Sequence, residues 1–336
     1  MTQHAPAILQ SAPFIRRYPG NPVLDATKVP YPTALVFNAG VTKFNGKYVM
    51  IFRNDYGSLV DQTLEPHHTT DLGIAYSDDG LSWTAGPKPV FKIHDEEIIR
   101  AYDPRLTVIG GRCYMCFAVD THHGIRGGIA VTDDLEHFEV LSLSTPDLRN
   151  MVLFPELIGG KYVRLERPFT VYSRGGRDRF DAWISESPDL KHWGNSSLLL
   201  AVEQVPFAND KVGPAAPPVR TDKGWLTTFH AVDVDPARGK QGWEDTWKKR
   251  YTAGIMLLDL EDPRKVIGMS RQPLLAPETD YEIGGGFRNH VIFPGGMILE
   301  DDGEVKIYYG SADTVECLAT AHVDDLLRLC LEPEHR

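Results

Sequence analysis

The chain has 336 residues, 42% hydrophobic and 24% charged, with a formal net charge of −11. That length buries a sizeable core in one large domain or two, and the acidic balance argues against nucleic acid or an anionic membrane as partner. No run approaches the roughly 20 apolar residues that span a bilayer, and "MTQHAPAILQSAPFIRRYPG" lacks the basic leader and apolar core of a secretory signal. A cytoplasmic protein is expected.

After an N-terminal extension over 1–30, one module returns five times: an apolar strand, a Gly-aromatic turn and a second apolar strand. The first copy reads "NAGVTKF" into "FNGKYVMIFRND" (44–55), then "LGIAYSDDGLSW". The second reads "DPRLTVI", "IGGRCYMCFAVD" (109–120) and "GIAVTDDLEHF". The third reads "MVLFPELI", "IGGKYVRLERPF" (158–169) and "AWISESPDLKHW". Looser copies follow at "DKGWLTTFHAVD" (222–233) with "GIMLLDLEDPRKVI", and at "HVIFPGGMIL", "DDGEVKIYYGSAD" (301–313) and "CLATAHVDDLLRL". Each third segment ends in a polar turn and a further short strand. Four-stranded units repeated in this way predict an all-β, five-bladed β-propeller in a single domain spanning 1–336. A β-sandwich leaves the repeat unexplained.

Two local motifs read as structural. Cys113 and Cys116 have C-x-x-C spacing but sit inside an apolar strand with no second ligand pair, so free buried thiols are expected and no metal. "YSDDGLSW" resembles the Asp-box of sialidases with one residue fewer, a hairpin whose Asp and Gly shape the turn.

Counting from each turn glycine aligns the candidate site. Arg53 and Arg167 lie seven residues after Gly46 and Gly160, Gly310 lies seven after Gly303, and His230 six after Gly224. Asp55, Asp120 and Asp233 follow at nine, Asp313 at ten. Upstream, Asn38 and Asp103 each lie eight before the glycine, with Arg149, Lys211 and Arg288-Asn289 as less regular equivalents. Corresponding strand ends in a propeller face one side, so these groups are expected to converge. Asp103 is followed by Pro104. Asp-Pro starts turns, and it also suits a carboxylic acid held rigidly at a pocket.

Asp, Asn and Arg with Tyr102, Tyr251 and Phe293 suit a sugar. Glycoside hydrolysis needs two carboxyl groups. Phosphorolysis needs one acid, because phosphate attacks, together with a cationic cradle in place of the base. Arg149, Arg167, Lys211 and His230 have the composition of such a cradle. In an acidic chain, that is a local reversal of charge.

At these residues the sequence resembles the β-mannoside phosphorylases of glycoside hydrolase family 130. The resemblance runs through "FNAGVTKFNGKY", "YDPR", "RNMVLFPE", "LERPF", "SESPDLKHWG", "NDKVGP", "GWLTTFHAVD", "YTAGIMLLDLEDP" and "IYYGSADTV". It implies a five-bladed propeller that converts a β-mannoside and phosphate to mannose 1-phosphate with inversion. It makes Asp103 the general acid, acting through the mannose 3-hydroxyl, and Arg149, Arg167, Lys211 and His230 the phosphate ligands. Asn38, Arg53 and Asp313 then match residues around the mannose, and Tyr102 and Tyr251 border the acceptor subsite; Asp55 and Phe293 are also expected to bind substrate. "FHAVD" replaces the "YHG" of many relatives. The long forms "RNDYGSLVDQTLEPHHTTD" and "AVDVDPARGKQGWEDTWKKRYTAG" look like the subgroup acting on 4-O-β-mannosyl-glucose. Arg238, Lys240, Lys248, Lys249 and Arg250 are expected in a lid or subunit contact, and a homo-oligomer is expected. His67-His68 and His122-His123 read as solvated or sugar-contacting. Phosphate is a co-substrate and no cofactor is expected. A hydrolase of the same fold and a non-catalytic sugar-binding propeller are the competing readings.

Overall fold

The structure is a computed structural model that describes residues 9–57, 68–169, 179–235, 238 and 248–332. Nearly all of its regular structure is strand. After the short β1 (Arg16–Arg17), the first repeat is an antiparallel meander of β2 (Leu35–Phe44), β3 (Lys47–Gly57), β4 (His68–Ser77) and β5 (Thr84–Ala85). The second is β6 (Ile98–Ile109), β7 (Arg112–Thr121), β8 (Gly124–Thr132) and β9 (Glu139–Leu143). The third is β10 (Leu148–Leu153), β11 (Tyr162–Pro168), β12 (Ala182–Ser187) and β13 (Gly194–Leu200). The fourth runs β14 (Lys211–Pro214), β16 (Trp225–Val234), β17 (Lys249–Leu258) and β18 (Val266–Met269), with β15 (Val219–Arg220) also on β16. Helix α1 (Asp280–Ile283) precedes β19 (Ile292–Leu299), β20 (Glu304–Ser311) and β21 (Val315–His322), and α2 (Val323–Leu331) follows.

The sheets are tied by apolar side chains that alternate along both faces of the strands. Five clusters result, each shared by two meanders. Ile51 and Leu72 meet Met115 and Phe117. Ile129 and Cys116 meet Met151 and Leu153. Phe154 and Ile184 meet Trp225 and Phe229. Leu226 and Ile255 meet Ile292 and Ile307, and Tyr308 and Leu318 return to Met50 and Phe52. The first strands lie together: β2 touches β6 and β19, β6 touches β10 and β19, and β10 touches β14. Between β2 and β19 the contact is a parallel pairing at Gly296 and Val41, which joins the last and first meanders into one eight-stranded sheet.

The repeated polar turns form as expected. Asp79, Asp134 and Asp189 each accept backbone amides two and three residues ahead, so the Asp closes its own turn. Trp83 packs edge-on against Tyr308 of the neighbouring meander at 5.6 Å. Cys113 and Cys116 are free, buried strand residues.

The last module departs from expectation. "VDDLLRL" is not strand but α2, because Val323, Leu326, Leu327 and Cys330 recur at helical spacing and pack into the cluster around Ile255 and Ile307. Each buried leucine contributes about 1.5–3 kcal/mol there. The vacated edge of β21 is taken by β1, with Arg16 opposite Thr320 and Arg17 opposite Ala319. The N-terminal extension is therefore part of the last sheet, with Leu24 also bridged to Glu316.

Candidate active site

Asp103 is not in a turn. It lies within β6 at a bulge, where the register with β7 shifts between Tyr102 and Arg105, and its φ is 53°. The same device recurs at the same level of two neighbours: Asn38 has φ 52° where β2 shifts against β3, and Asn150 has φ 55° where β10 shifts against β11. Asn and Asp are the side-chain-bearing residues that best tolerate this left-handed region, and a bulge re-aims the residue it carries. Asn150, next to Arg149, is thus the third counterpart of Asn38 and Asp103. Spacing from the glycines did not find it.

These bulges open into a cavity of about 380 Å³, a volume typical of small-ligand sites. Of the expected residues, Asn38, Arg53, Tyr102, Asp103, Arg149, Arg167, Lys211, Tyr251, Phe293 and Asp313 line it. Asn38 Nδ2 donates to Asp103 Oδ1 at 3.0 Å, and Arg53 Nη1 lies 3.5 Å from the same oxygen. Gly310 makes room: a Cβ there would meet Asn38 Oδ1 at 2.3 Å. Asp313 faces Arg288 at 3.2 Å, and burial raises its carboxyl pKa above the usual range.

Three expected members stand behind the wall. Asp55 is fully buried and takes both bonds of the Arg53 fork, at 2.9 and 2.6 Å. Asp233 is held by Arg238 and Arg250. His230 is fully buried: Arg167 Nη1 donates to its Nε2 at 2.9 Å, and its Nδ1 faces the Pro214 carbonyl at 3.1 Å. That pattern requires a neutral ring protonated on Nδ1. Burial first, and then Arg167, hold the imidazole pKa well below its ordinary value. A Cβ at Gly213 would strike both His230 and Arg167, so the glycine is what admits the pair. His230 aims Arg167 from behind.

Two charged lining groups, Arg100 and Lys249, fell outside the expected site. Arg100 and Tyr102 share Asp120, with Arg100 Nε and the Tyr102 hydroxyl each donating to it at 2.7 Å. Lys249, expected in a lid or subunit contact, lines the cavity with Lys211, both beside Asp210 at 3.6 and 3.8 Å. Arg288, placed less regularly by sequence, lines it too. Lys240, His67 and about half of the two long segments lie outside the described residues. His123 pairs with Glu97 at 2.8 Å, and no metal-binding cluster occurs among the described residues.

Electrostatically the site is overloaded with positive charge. Seven Arg and Lys side chains and three carboxylates line it, with Asp55 and Asp210 just behind. Arg149 Nε and Arg167 Nε and Nη2 are buried with no hydrogen-bond partner, a costly condition for ionic groups. Burial, then Arg149 alongside, push the Arg167 guanidinium down to about 9. Burial, then Arg167 and Lys249, push Lys211 down to about 6. Burial and the neighbouring cations thus favour the uncharged Lys211 amine in the empty cradle, against the pull of Asp210.

Residues 14–332 match the family model described as beta-1,4-mannooligosaccharide phosphorylase. The chain is 33% identical to the Beta-1,2-mannobiose phosphorylase of Listeria innocua over 72% of its own length and 64% of that protein's. It is 31% identical to the Beta-1,4-mannooligosaccharide phosphorylase of Ruminococcus albus, over 93% of this chain and 90% of that one. It is 29% identical to the 4-O-beta-D-mannosyl-D-glucose phosphorylase of Bacteroides fragilis, over 88% and 74%. A solved structure of the Listeria innocua enzyme with beta-1,2-mannobiose superposes with a TM-score of 0.79 at 27% identity, covering 94% of this chain and 98% of that one.

Proposed function

The chain belongs to glycoside hydrolase family 130, and on that premise we propose that it is an inverting β-mannoside phosphorylase. The observation that carries the reading is the cationic cradle of Arg149, Arg167, Lys211 and Lys249, in which both arginines keep buried donors without partners, beside the Asp103 carboxyl, which a bulge aims into the cavity. A phosphate dianion supplies the missing charge, and its oxygens accept the free guanidinium donors. In the proposed step a phosphate oxygen attacks the anomeric carbon as the bond to the acceptor oxygen breaks. The leaving oxygen takes the proton originating on Asp103, relayed by the mannose 3-hydroxyl as the family resemblance implies. The products are α-mannose 1-phosphate and the acceptor sugar. Asn38 and Arg53 hold Asp103, while Arg288 and Asp313 sit at the mannose end. Tyr102, Tyr251 and Phe293 offer ring faces. The single-domain, five-bladed propeller belongs to the same proposal. The five apolar clusters close in a ring, which supports reading the eight-stranded sheet as two adjoining blades.

For the acceptor, the proposal is glucose, with 4-O-β-mannosyl-glucose as the substrate, on the sequence of the two long segments and of "FHAVD". A β-1,4-mannooligosaccharide is the second reading, favoured by the description of the matching family. Incubating the protein with mannosyl-glucose, β-1,4-mannobiose and β-1,2-mannobiose, each with and without phosphate, tests both levels. Mannose 1-phosphate is expected only with phosphate, and fastest from mannosyl-glucose. Free mannose formed equally fast in both conditions makes the protein a hydrolase. A preference for either mannobiose moves the acceptor assignment but leaves phosphorolysis standing.

The depressed Lys211 gives a second test. Phosphate in the cradle favours the charged ammonium, so binding raises the Lys211 pKa above its empty-site value of about 6. Above that pH, phosphate binding takes up a proton and weakens as pH rises, approaching one proton per site by linkage. Titration calorimetry at pH 8 in buffers of different ionisation enthalpy is expected to show uptake that Lys211→Met abolishes. The same proton count in both proteins would remove Lys211 from the phosphate site.

A further inference from the structure

One buried guanidinium does not line the cavity yet is bonded to the backbone that carries the site. Arg105 is 3% exposed, two residues beyond Asp103 on β6. Its Nη1 donates to the carbonyl of Asn38 at 3.0 Å and to that of Pro104 at 2.6 Å, and its Nε donates to the carbonyl of Ala215 at 2.8 Å. The guanidinium also lies 5.0 Å from the centre of the Phe293 ring on β19. A single side chain thus ties the bulge of β2, the bulge of β6, the segment after β14 and the wall of β19. The other side of the β2 bulge is fixed as well, since the Ala39 amide donates to Oε2 of the buried Glu316 carboxyl at 3.1 Å.

The two carbonyls on Nη1 belong to residues whose chain positions decide where Asn38 and Asp103 point. Both residues sit at positive φ, a conformation that persists only where surroundings over-determine it. Carbonyl acceptors shared by one rigid planar donor cannot shift independently. A charged donor is also worth more than a neutral one in a buried setting.

We propose that Arg105 is a positioning residue, holding the Asp103 carboxyl at the place from which it delivers its proton. The proposal rests on the reading of Asp103 as the acid. Arg105 touches neither sugar nor phosphate, so its loss acts on protonation of the leaving group and spares phosphate capture.

The test compares two substrates on the same protein sample: a mannosyl disaccharide, whose leaving alkoxide needs the proton, and p-nitrophenyl β-mannoside, whose phenolate leaves without it. Arg105→Met is expected to slow disaccharide phosphorolysis by about 10²-fold and the aryl mannoside by less than about tenfold, the difference tracking acid catalysis. The phosphate KM is expected to stay near its wild-type value. Arg105→Lys, which keeps a cation but not the planar fork, is expected to show a smaller split in the same direction. It carries the test should Arg105→Met fail to fold. Equal losses on the two substrates, or wild-type rates, overturn the proposal. Asp103→Asn is run in parallel to separate the two levels. A split there with none in the Arg105 variants overturns the positioning role alone, whereas no split in either removes Asp103 as the acid and Arg105 with it.

Discussion

Replacing Asp103 with Asn is expected to lower the rate of disaccharide phosphorolysis by about 10²–10⁴-fold, the span for loss of a general acid. The backbone gives a specific reason to expect an intact fold. Asp103 occupies a left-handed bulge that Asn tolerates equally, as Asn38 and Asn150 show at the corresponding places of two other strands. Loss of rate without loss of thermal stability therefore isolates the proton. Initial rates at saturating phosphate, with a thermal melt of the same sample, decide it. Near-wild-type turnover would leave Asp103 with no role beyond shaping the strand.

The second large effect belongs to the arginines. Arg149 and Arg167 keep buried donors without partners in the empty site, so an anion gains charge-assisted bonds already in position. Truncating either to Ala is expected to raise the phosphate KM and reduce turnover, by about ten- to a hundred-fold for a bond of roughly 1.5–3 kcal/mol to a charged group. Sugar binding without phosphate is expected to change far less. Added salt is not expected to imitate either change, because recessed charges are screened less than exposed ones. Arg167→Ala carries an additional signature: Arg167 helps hold Lys211 down, so proton uptake on phosphate binding is expected to shrink. If both variants keep the wild-type phosphate dependence, the cradle is not the phosphate site.

Much of this site could be read from spacing. Seven residues beyond each turn glycine selected Arg53 and Arg167, which face Phe37 and Arg149 across adjacent strands. The same count, or one fewer, found Gly310 opposite Phe293 and His230 opposite Gly213. Those registers are fixed by hairpins, and hairpin register is local. Depth is not local, which is why Asp55, Asp233 and His230 were expected at the surface of the cavity and lie behind it. Lys249 and Arg100 escaped for another reason. Neither has a repeated counterpart, and each follows a connecting segment. Strand alternation still held the clue. Lys249 lies two before Tyr251 and Arg100 two before Tyr102, so each pair shares a face, and both tyrosines were chosen. In the last module, a strand was expected where helical spacing in "VDDLLRLCL" wins.

The pairing of β1 with β21 has a consequence for how the protein is made. β1 finds its partner only after every intervening strand has been synthesised. Until then, the edge of β21 does not exist and Arg16–Arg17 have nothing to join. Native closure is thus a late event that joins segments at high sequence separation, a topology that slows folding. The parallel contact of β19 with β2 waits for the same moment. Because Asn38 on β2 and Phe293 on β19 both line the cavity, a nascent chain has no complete cavity before β2 and β19 meet.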